Sequence, residues 1–131
     1  MRHVKSNPPG IAPPASRYSH SVLTTGATRW LTMSGQVGTR PDGTVATGME
    51  AQLDACFANI DMGLQAAGMT RADLLKLVIY LTDPSPEAIA TYRARRDAWI
   101  GEAPPPAATL LVVAALASPA FLCEIEAVAA N

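Results

Sequence analysis

The segment of residues 104–130 constrains the fold of this chain more than any other. It contains two apolar runs, residues 110–116 and residues 121–127, and Ser118-Pro119 lies between them. Runs rich in Val, Ile and Leu that are bounded by Pro and Ser are typical of buried β-strands. The pattern therefore predicts two C-terminal strands that are joined by a turn at Ser118-Pro119.

The second run carries two glutamates in an otherwise apolar strand. Because side chains alternate along a strand, Glu124 and Glu126 share one face, while Cys123 and Ile125 share the other. Burying a carboxylate without a partner is costly, so these acids indicate a special surface. Glu124 can be a water-positioning or acid–base group, or a structural acid at an interface. Glu126 is better explained as a structural partner or as part of an interfacial ion pair.

Length and charge limit the possible functions. A chain of 131 residues is long enough to bury a core, and we expect one domain over residues 1–131. The formal net charge of −1 argues against a general binder of nucleic acid or of anionic membranes, because both rely on a basic surface. Prolines near the N-terminus interrupt the region where a signal peptide needs an apolar run. We therefore expect a cytoplasmic protein with no nucleic-acid or membrane partner.

The two cysteines give no metal signature, because no histidines lie near them at the spacing of metal ligands. Cys56 falls on the apolar side of a predicted helix, and Cys123 falls on the apolar face of the last strand. We expect both to be small buried hydrophobic residues in a reducing compartment.

The N-terminal third predicts a lead-in followed by a hairpin. Residues 1–16 form a Pro-rich lead-in that we expect to be extended and non-helical from Ser6 onwards. Residues 18–25 and residues 30–34 have the composition of strands, and Gly26-Ala27 is a turn signal between them.

Two helices alternate with a further strand in the middle of the chain. Thr47 and Glu50 fit a capping box at the start of the first helix, and Gly68 is a stop signal at its end. Residues 74–82 predict a hydrophobic strand. Ser85 is the predicted cap of the second helix, which runs to about Ile100 with Arg93, Arg95 and Arg96 largely in solvent.

These elements give the order β-β-α-β-α-β-β, an α+β fold in which two helices pack on one face of a mixed sheet. Residues 74–81 and residues 110–116 are nevertheless apolar on both alternating faces. The chain has no further helix to cover the second face. A symmetric homo-oligomer that packs sheet against sheet is the economical solution.

Four short motifs occur in register with this pattern. They are Tyr18-Ser19-His20, Ser34-Gly35-Gln36, Tyr80-Leu81-Thr82-Asp83 and Glu124-Ile125-Glu126-Ala127. Together they resemble the reactive intermediate deaminase family (RidA, also called YjgF) over nearly the whole chain. The resemblance implies a homotrimer with a chorismate-mutase-like fold and three inter-subunit clefts. It also implies cofactor-free hydrolysis of enamines or imines such as 2-aminoacrylate.

The resemblance assigns roles to individual residues. Glu124 takes the position of the catalytic glutamate that helps to place the attacking water, and Tyr18, Ser34 and Gly35 take positions that line the cleft. The family arginine that holds the substrate carboxylate is absent, because Ala108 stands in its place.

This departure changes the expected substrate. Thr109 follows Ala108 as in the family, whereas Leu110 replaces a frequent cysteine, so we expect a drier and less cationic cleft. An alanine cannot form the paired charge-assisted hydrogen bonds of a guanidinium. We therefore expect an imine or enamine other than 2-aminoacrylate as substrate. The alternative is a non-catalytic trimer that binds a small molecule in the same clefts.

Two further residues near Tyr18 are candidates for the cleft. Arg17 can supply the missing cation, or it can be an ordinary solvated arginine. His20 alternates onto the same strand face as Tyr18 and is a possible base, although a single histidine is more often structural.

Overall fold

The computed structural model describes residues 1–131 as six strands and two helices. Their order is β1 (Arg2–Ser6), β2 (Ser21–Thr25), β3 (Trp30–Val37), α1 (Met49–Ala66), β4 (Leu74–Leu81), α2 (Pro86–Ile100), β5 (Ala107–Val112) and β6 (Cys123–Ala130). A one-turn 3-10 helix, Arg71–Asp73, leads into β4. Neither helix is long and apolar enough to cross a bilayer.

The main sheet has four strands in the order β3-β6-β4-β5. Strand β6 is antiparallel to both of its neighbours, and β5 is parallel to β4 across the α2 crossover. Both helices lie on one face, where Leu53, Ile60, Leu77, Ile79 and Ile125 are fully buried in one core. The predicted α+β fold with two helices on one face of a mixed sheet is confirmed.

The predicted N-terminal hairpin is wrong. Strand β2 pairs with β1, whereas β3 pairs with β6 at the edge of the main sheet. Part of the predicted lead-in is therefore a strand, because residues 2–6 supply the partner of β2. That segment contains a single strongly apolar residue, Val4, so its sequence carries no strand signal. Gly26 does adopt a turn conformation, with φ 72°. The turn leads the chain from the two-stranded sheet of β1 and β2 into the main sheet.

The helix ends follow the sequence signals in part. The capping box at Thr47 is wrong, because Gly48 occupies the N-cap with φ 89° and no side chain caps the helix. The stop at Gly68 is confirmed: it has φ 68°, and its N–H donates to Gln65 O. The second helix begins as predicted, because Ser85 Oγ accepts a hydrogen bond of 3.1 Å from the Ala88 N–H.

The outward orientation predicted for Arg96 is wrong. Its exposed fraction is only 4%, whereas Arg93 is exposed. Arg96 lies four residues after the buried Tyr92, and residues at that spacing share one face of a helix. Since adjacent helical residues point in different directions, the three neighbouring arginines cannot all face solvent equally.

The two C-terminal strands exist, but they are not neighbours. Strand β4 lies between β5 and β6, so the two strands do not form a hairpin. The predicted turn at Ser118-Pro119 is present within the connection of residues 113–122, because the Phe121 N–H donates to Ser118 O at 3.1 Å. The two faces of β6 alternate as predicted: Cys123 and Ile125 are buried, and Glu124 and Glu126 are partly exposed.

The side of the main sheet opposite the helices is called the open face below. It is formed by alternate residues of all four strands, namely Ser34, Val78, Tyr80, Thr109, Leu111, Glu124 and Glu126. Each of these side chains keeps at least partial exposure, and 42% of Leu111 is exposed. The open face is therefore the one surface of the sheet on which apolar and acidic side chains both remain accessible.

Candidate functional site

Glu124 lies beside Gly35 on the open face. A bulge in β3 between Met33 and Gln36 brings Gly35 so close that an added Cβ would lie 2.6 Å from the Glu124 carboxyl group. Only glycine fits at this position without moving the carboxylate. Ser34 is exposed immediately before it. The structure thus brings together three of the residues predicted from the sequence.

The two glutamates of β6 have different surroundings. Glu126 Oε1 accepts a hydrogen bond of 2.7 Å from the Tyr80 hydroxyl. This hydrogen bond raises the pKa of Tyr80, so the tyrosine stays protonated and remains a donor. The Glu124 carboxylate, by contrast, has no hydrogen bond or ion pair with any group of the chain, although it lies next to the Tyr80–Glu126 pair. Glu124 is therefore free to bind water or a ligand.

A second group of predicted residues lines a cavity of about 250 Å³ between α2 and the start of β5, called the β5 cavity below. Tyr18, Ala108 and Leu110 lie on its wall. Ser19 fixes this arrangement, because its N–H donates to Pro106 O at 3.1 Å and its hydroxyl donates to Pro105 O at 2.6 Å. These bonds dock the segment before β2 on the start of β5 and so place Tyr18 beside Ala108.

Ala108 and Thr109 point to opposite faces of the sheet. Ala108 pairs with the buried Leu77, whereas Thr109 pairs with Val78 on the open face. The Thr109 hydroxyl accepts a hydrogen bond of 2.8 Å from Lys76 Nζ. Of these two neighbours, only Ala108 lines the β5 cavity.

Arg17 and His20 hold the segment that carries Tyr18. Arg17 donates to Gly101 O at 2.7 Å and also lies 3.8 Å from Asp97, so its charge sits at the C-terminal end of α2. His20 Nε2 lies 2.6 Å from Ala12 O, and its ring packs edge-on against Tyr18 with the centroids 5.5 Å apart. Both side chains therefore have partners within the chain, and those contacts position Tyr18.

The two groups of residues are far apart within one chain. Glu124 and Gly35 lie on the open face towards β3, whereas Ala108 and Tyr18 lie on the helix side at β5. Strands β3 and β5 are the two edges of the main sheet and lie about 14 Å apart, and Glu124 in β6 is two inter-strand spacings, or about 10 Å, from β5. A single copy of the chain therefore does not gather the predicted residues into one cavity.

The β5 cavity also contains two residues that the sequence did not single out, Tyr92 and Arg96. The Arg96 guanidinium donates to Asp97 at 3.0 Å and to Ser16 Oγ at 2.9 Å, and it lies over the Tyr92 ring at 5.4 Å. A buried arginine thus lines the same cavity as Ala108. The expectation that the cleft is drier and less cationic than is usual in the family stays a prediction. In the sequence, the four-residue spacing between Tyr92 and Arg96 was the signal that Arg96 shares the buried face of α2.

Comparison with known proteins identifies the family. The family model described as Endoribonuclease L-PSP matches residues 10–131. The Rid protein YyfB from Yersinia pestis, described as a protein of unknown function, has a solved structure that is 34% identical, covers 100% of both chains and superposes with a TM-score of 0.90. The chain belongs to the RidA/YjgF family.

Two other members of the RidA/YjgF family match over less of the chain. The YjgF gene product from Escherichia coli is 27% identical, with a TM-score of 0.71 over 94% of this chain and 92% of that one. A RutC family protein of Aquifex aeolicus is 36% identical over 84 residues, which is 63% of each chain. The matched part thus spans less than two thirds of that curated relative.

Proposed function

We propose that this chain assembles into a homotrimer and hydrolyses an enamine or imine, other than 2-aminoacrylate, in clefts between neighbouring copies. The separation of the two groups of residues supports this assembly. One copy supplies Glu124 and Gly35 from its open face, and the next copy supplies Tyr18 and the β5 cavity. The exposed apolar side chains of β5, among them Leu111, are then covered by a neighbour.

The unpaired carboxylate of Glu124 is the observation that carries the proposed reaction. As water adds to the carbon of the C=N bond, Glu124 accepts one of its protons and passes it to the nitrogen. Glu124 then moves the proton of the adduct's hydroxyl group to the nitrogen, and the C–N bond breaks to give a carbonyl compound and ammonia. A half-exposed carboxylate without an internal donor suits this role, because nothing must be displaced before it binds water.

The other residues orient the substrate in this proposal. The Tyr18 and Ser34 hydroxyls donate hydrogen bonds to it, and Gly35 leaves the room that the Glu124 carboxylate itself occupies. Arg17 and His20 act indirectly, by holding the segment of Tyr18. No metal or organic cofactor takes part, and the cytoplasm is the expected location. An endoribonuclease activity, as in the family description, finds no support in a net charge of −1.

The test is ammonia release from freshly generated imines, in which imino acids are compared with uncharged and bulkier analogues. Glu124→Gln keeps the shape of the side chain but removes the base, so we expect the rate to fall by about 10²–10⁴-fold. Glu126→Gln is the matched control on the same strand and face, and we expect a change of less than about tenfold. Equal losses in the two variants would contradict the role of Glu124.

A second candidate, a trimer that binds a small molecule without converting it, is favoured by Ala108 alone. The family arginine is absent at that position. The charge-assisted hydrogen bonds that this arginine donates to the substrate carboxylate, next to the reacting carbon, are therefore absent too. If the wild-type protein accelerates the hydrolysis of no imine while it still binds small acids or amides, this candidate replaces the deaminase.

A further inference from the structure

The two cysteines of the chain lie in contact inside the core. Cys56 on α1 and Cys123 at the start of β6 are both free and fully buried, and their Sγ atoms are 3.7 Å apart. They are separated by 67 positions in the sequence, and the chain has no other cysteine. The fold therefore brings together the one pair of residues that can form an internal disulfide.

The buried side chain of Gln52 holds this pair in place. Gln52 lies four residues before Cys56, so both are on the same face of α1. Its side-chain N–H donates to Ala120 O at 2.8 Å, and its Oε1 atom accepts a hydrogen bond of 2.8 Å from the Leu122 N–H. Cys123 is the next residue. Gln52 therefore fixes the segment that carries one thiol against the helix that carries the other.

The remaining gap between the sulfurs is small. A disulfide joins two sulfurs at about 2.0 Å, so the two Sγ atoms need to approach each other by less than about 2 Å. Rotation of the two side chains supplies a movement of that size while the hydrogen bonds of Gln52 stay in place. We propose that Cys56 and Cys123, held in contact by Gln52, form a reversible internal disulfide when a low-molecular-weight disulfide such as oxidised glutathione oxidises them.

Access to the thiols depends on the connection of residues 113–122. The contact with Cys123 and burial raise the pKa of Cys56, so its thiol stays protonated and unreactive in the closed fold. The connection lies outside the helices and strands, and Pro119 and Ala120 within it are exposed. Its local opening uncovers Cys123, which follows it directly. We therefore expect oxidation to be slow and limited by this opening.

The reaction is a thiol–disulfide exchange in two steps. The Cys123 thiolate attacks one sulfur of oxidised glutathione, so that a mixed disulfide forms and one glutathione leaves as a thiolate. The Cys56 thiolate then attacks Cys123 Sγ, and the second glutathione leaves. The protons of the two protein thiols pass to the two glutathione thiolates. The protein thus loses two hydrogens and two electrons, and one oxidised glutathione becomes two reduced molecules.

This inference does not rest on the proposed function, because neither thiol takes part in the proposed hydrolysis. Its test needs no imine. The folded full chain is incubated with equal amounts of oxidised and reduced glutathione until its composition is constant, and is then quenched in acid, alkylated and measured by intact mass. We expect the form that lacks two hydrogens to exceed the glutathione adduct by at least about tenfold, because the fold gives Cys56 a high effective concentration beside Cys123.

The same incubation in urea shows whether the fold is responsible. An unfolded chain has to close a loop between residues 67 positions apart, so the ratio of internal disulfide to glutathione adduct should be at least about tenfold lower. Equal ratios in the folded and unfolded chain would overturn the inference. Reduced protein alone, or the glutathione adduct as the main folded product, would overturn it as well.

Three variants and a control assign the residues. Cys56→Ala and Cys123→Ala should not lose two hydrogens, and such a loss in either would overturn the assignment to this pair. Gln52→Ala should lower the ratio by about tenfold, because it frees the segment before Cys123. Gln65→Ala, at an exposed position of the same helix, should not change it. An unchanged ratio in Gln52→Ala would overturn the role of Gln52, and if that variant does not fold, the wild-type comparison in urea still decides the proposal.

Discussion

The two faces of the main sheet differ in how far their side chains are buried, and successive residues of β6 show this difference. On the helix side, Ile125 has no exposed surface and belongs to the core. One residue earlier, Glu124 is half-exposed on the open face and has no partner in the chain. The comparison shows that the period-two alternation of a strand places stability and chemistry next to each other without mixing them.

The largest expected effect lies on the helix side. Ile125→Ala removes buried methyl groups from a core that two helices close, and we expect it to lower the free energy of unfolding by about 2–5 kcal/mol. Glu124→Gln, its neighbour on the open face, should change that free energy by less than about 0.5 kcal/mol. Urea titration measures both, and losses of similar size would break the distinction between the faces.

The next effect concerns the close contact between Gly35 and Glu124. An added Cβ at Gly35 would displace the carboxylate, and a shift of about 1 Å at a reacting group costs about 10²-fold in rate. We therefore expect Gly35→Ala to lower ammonia release by about that factor. Gly10→Ala is the control, because a Cβ there meets no atom within 4 Å. A fully active Gly35→Ala variant would show that the contact is not needed.

A smaller effect is expected where the open face meets a neighbouring copy. Leu111→Lys places a charge in the proposed interface, so we expect the trimer to dissociate at about tenfold higher protein concentration or more. Met62→Lys on α1 should leave assembly unchanged, although 58% of Met62 is exposed and only 42% of Leu111. Analytical ultracentrifugation across a range of concentrations compares the two, and an unaffected Leu111→Lys trimer would place the interface elsewhere.

The smallest effect is expected at the Tyr80–Glu126 pair. The pKa of Tyr80 is raised by this hydrogen bond, so its contribution to stability is present below the ordinary pKa of 10.0 and is lost as pH rises through the folded-state value. Tyr80→Phe should therefore be slightly less stable than wild type at pH 7, and the difference should shrink above pH 10.0. Thermal unfolding at both pH values checks this, and a constant difference would contradict it.

Sequence patterns predicted the structural features that depend on residues close together in the sequence. The start of α2 at Ser85 and the alternation of β6 follow from local rules, and both are confirmed. The partner of β2 was missed, because strand pairing joins residues that are far apart in sequence. Arg96 was missed for a related reason: its place beside Ala108 depends on the packing of α2 against β5.

The central claim, that neighbouring copies complete the site, has a direct test. Glu124→Gln loses the carboxylate that we propose to be catalytic, and Ala108→Phe fills the β5 cavity. Each variant alone should therefore be nearly inactive in ammonia release. Unfolding and mixing them at equal amounts, then refolding, should form hybrid trimers in which about a quarter of the clefts combine two intact halves. We predict that activity returns to about that fraction of wild type. Mixed trimers that stay as inactive as the separate variants would contradict a site shared between copies.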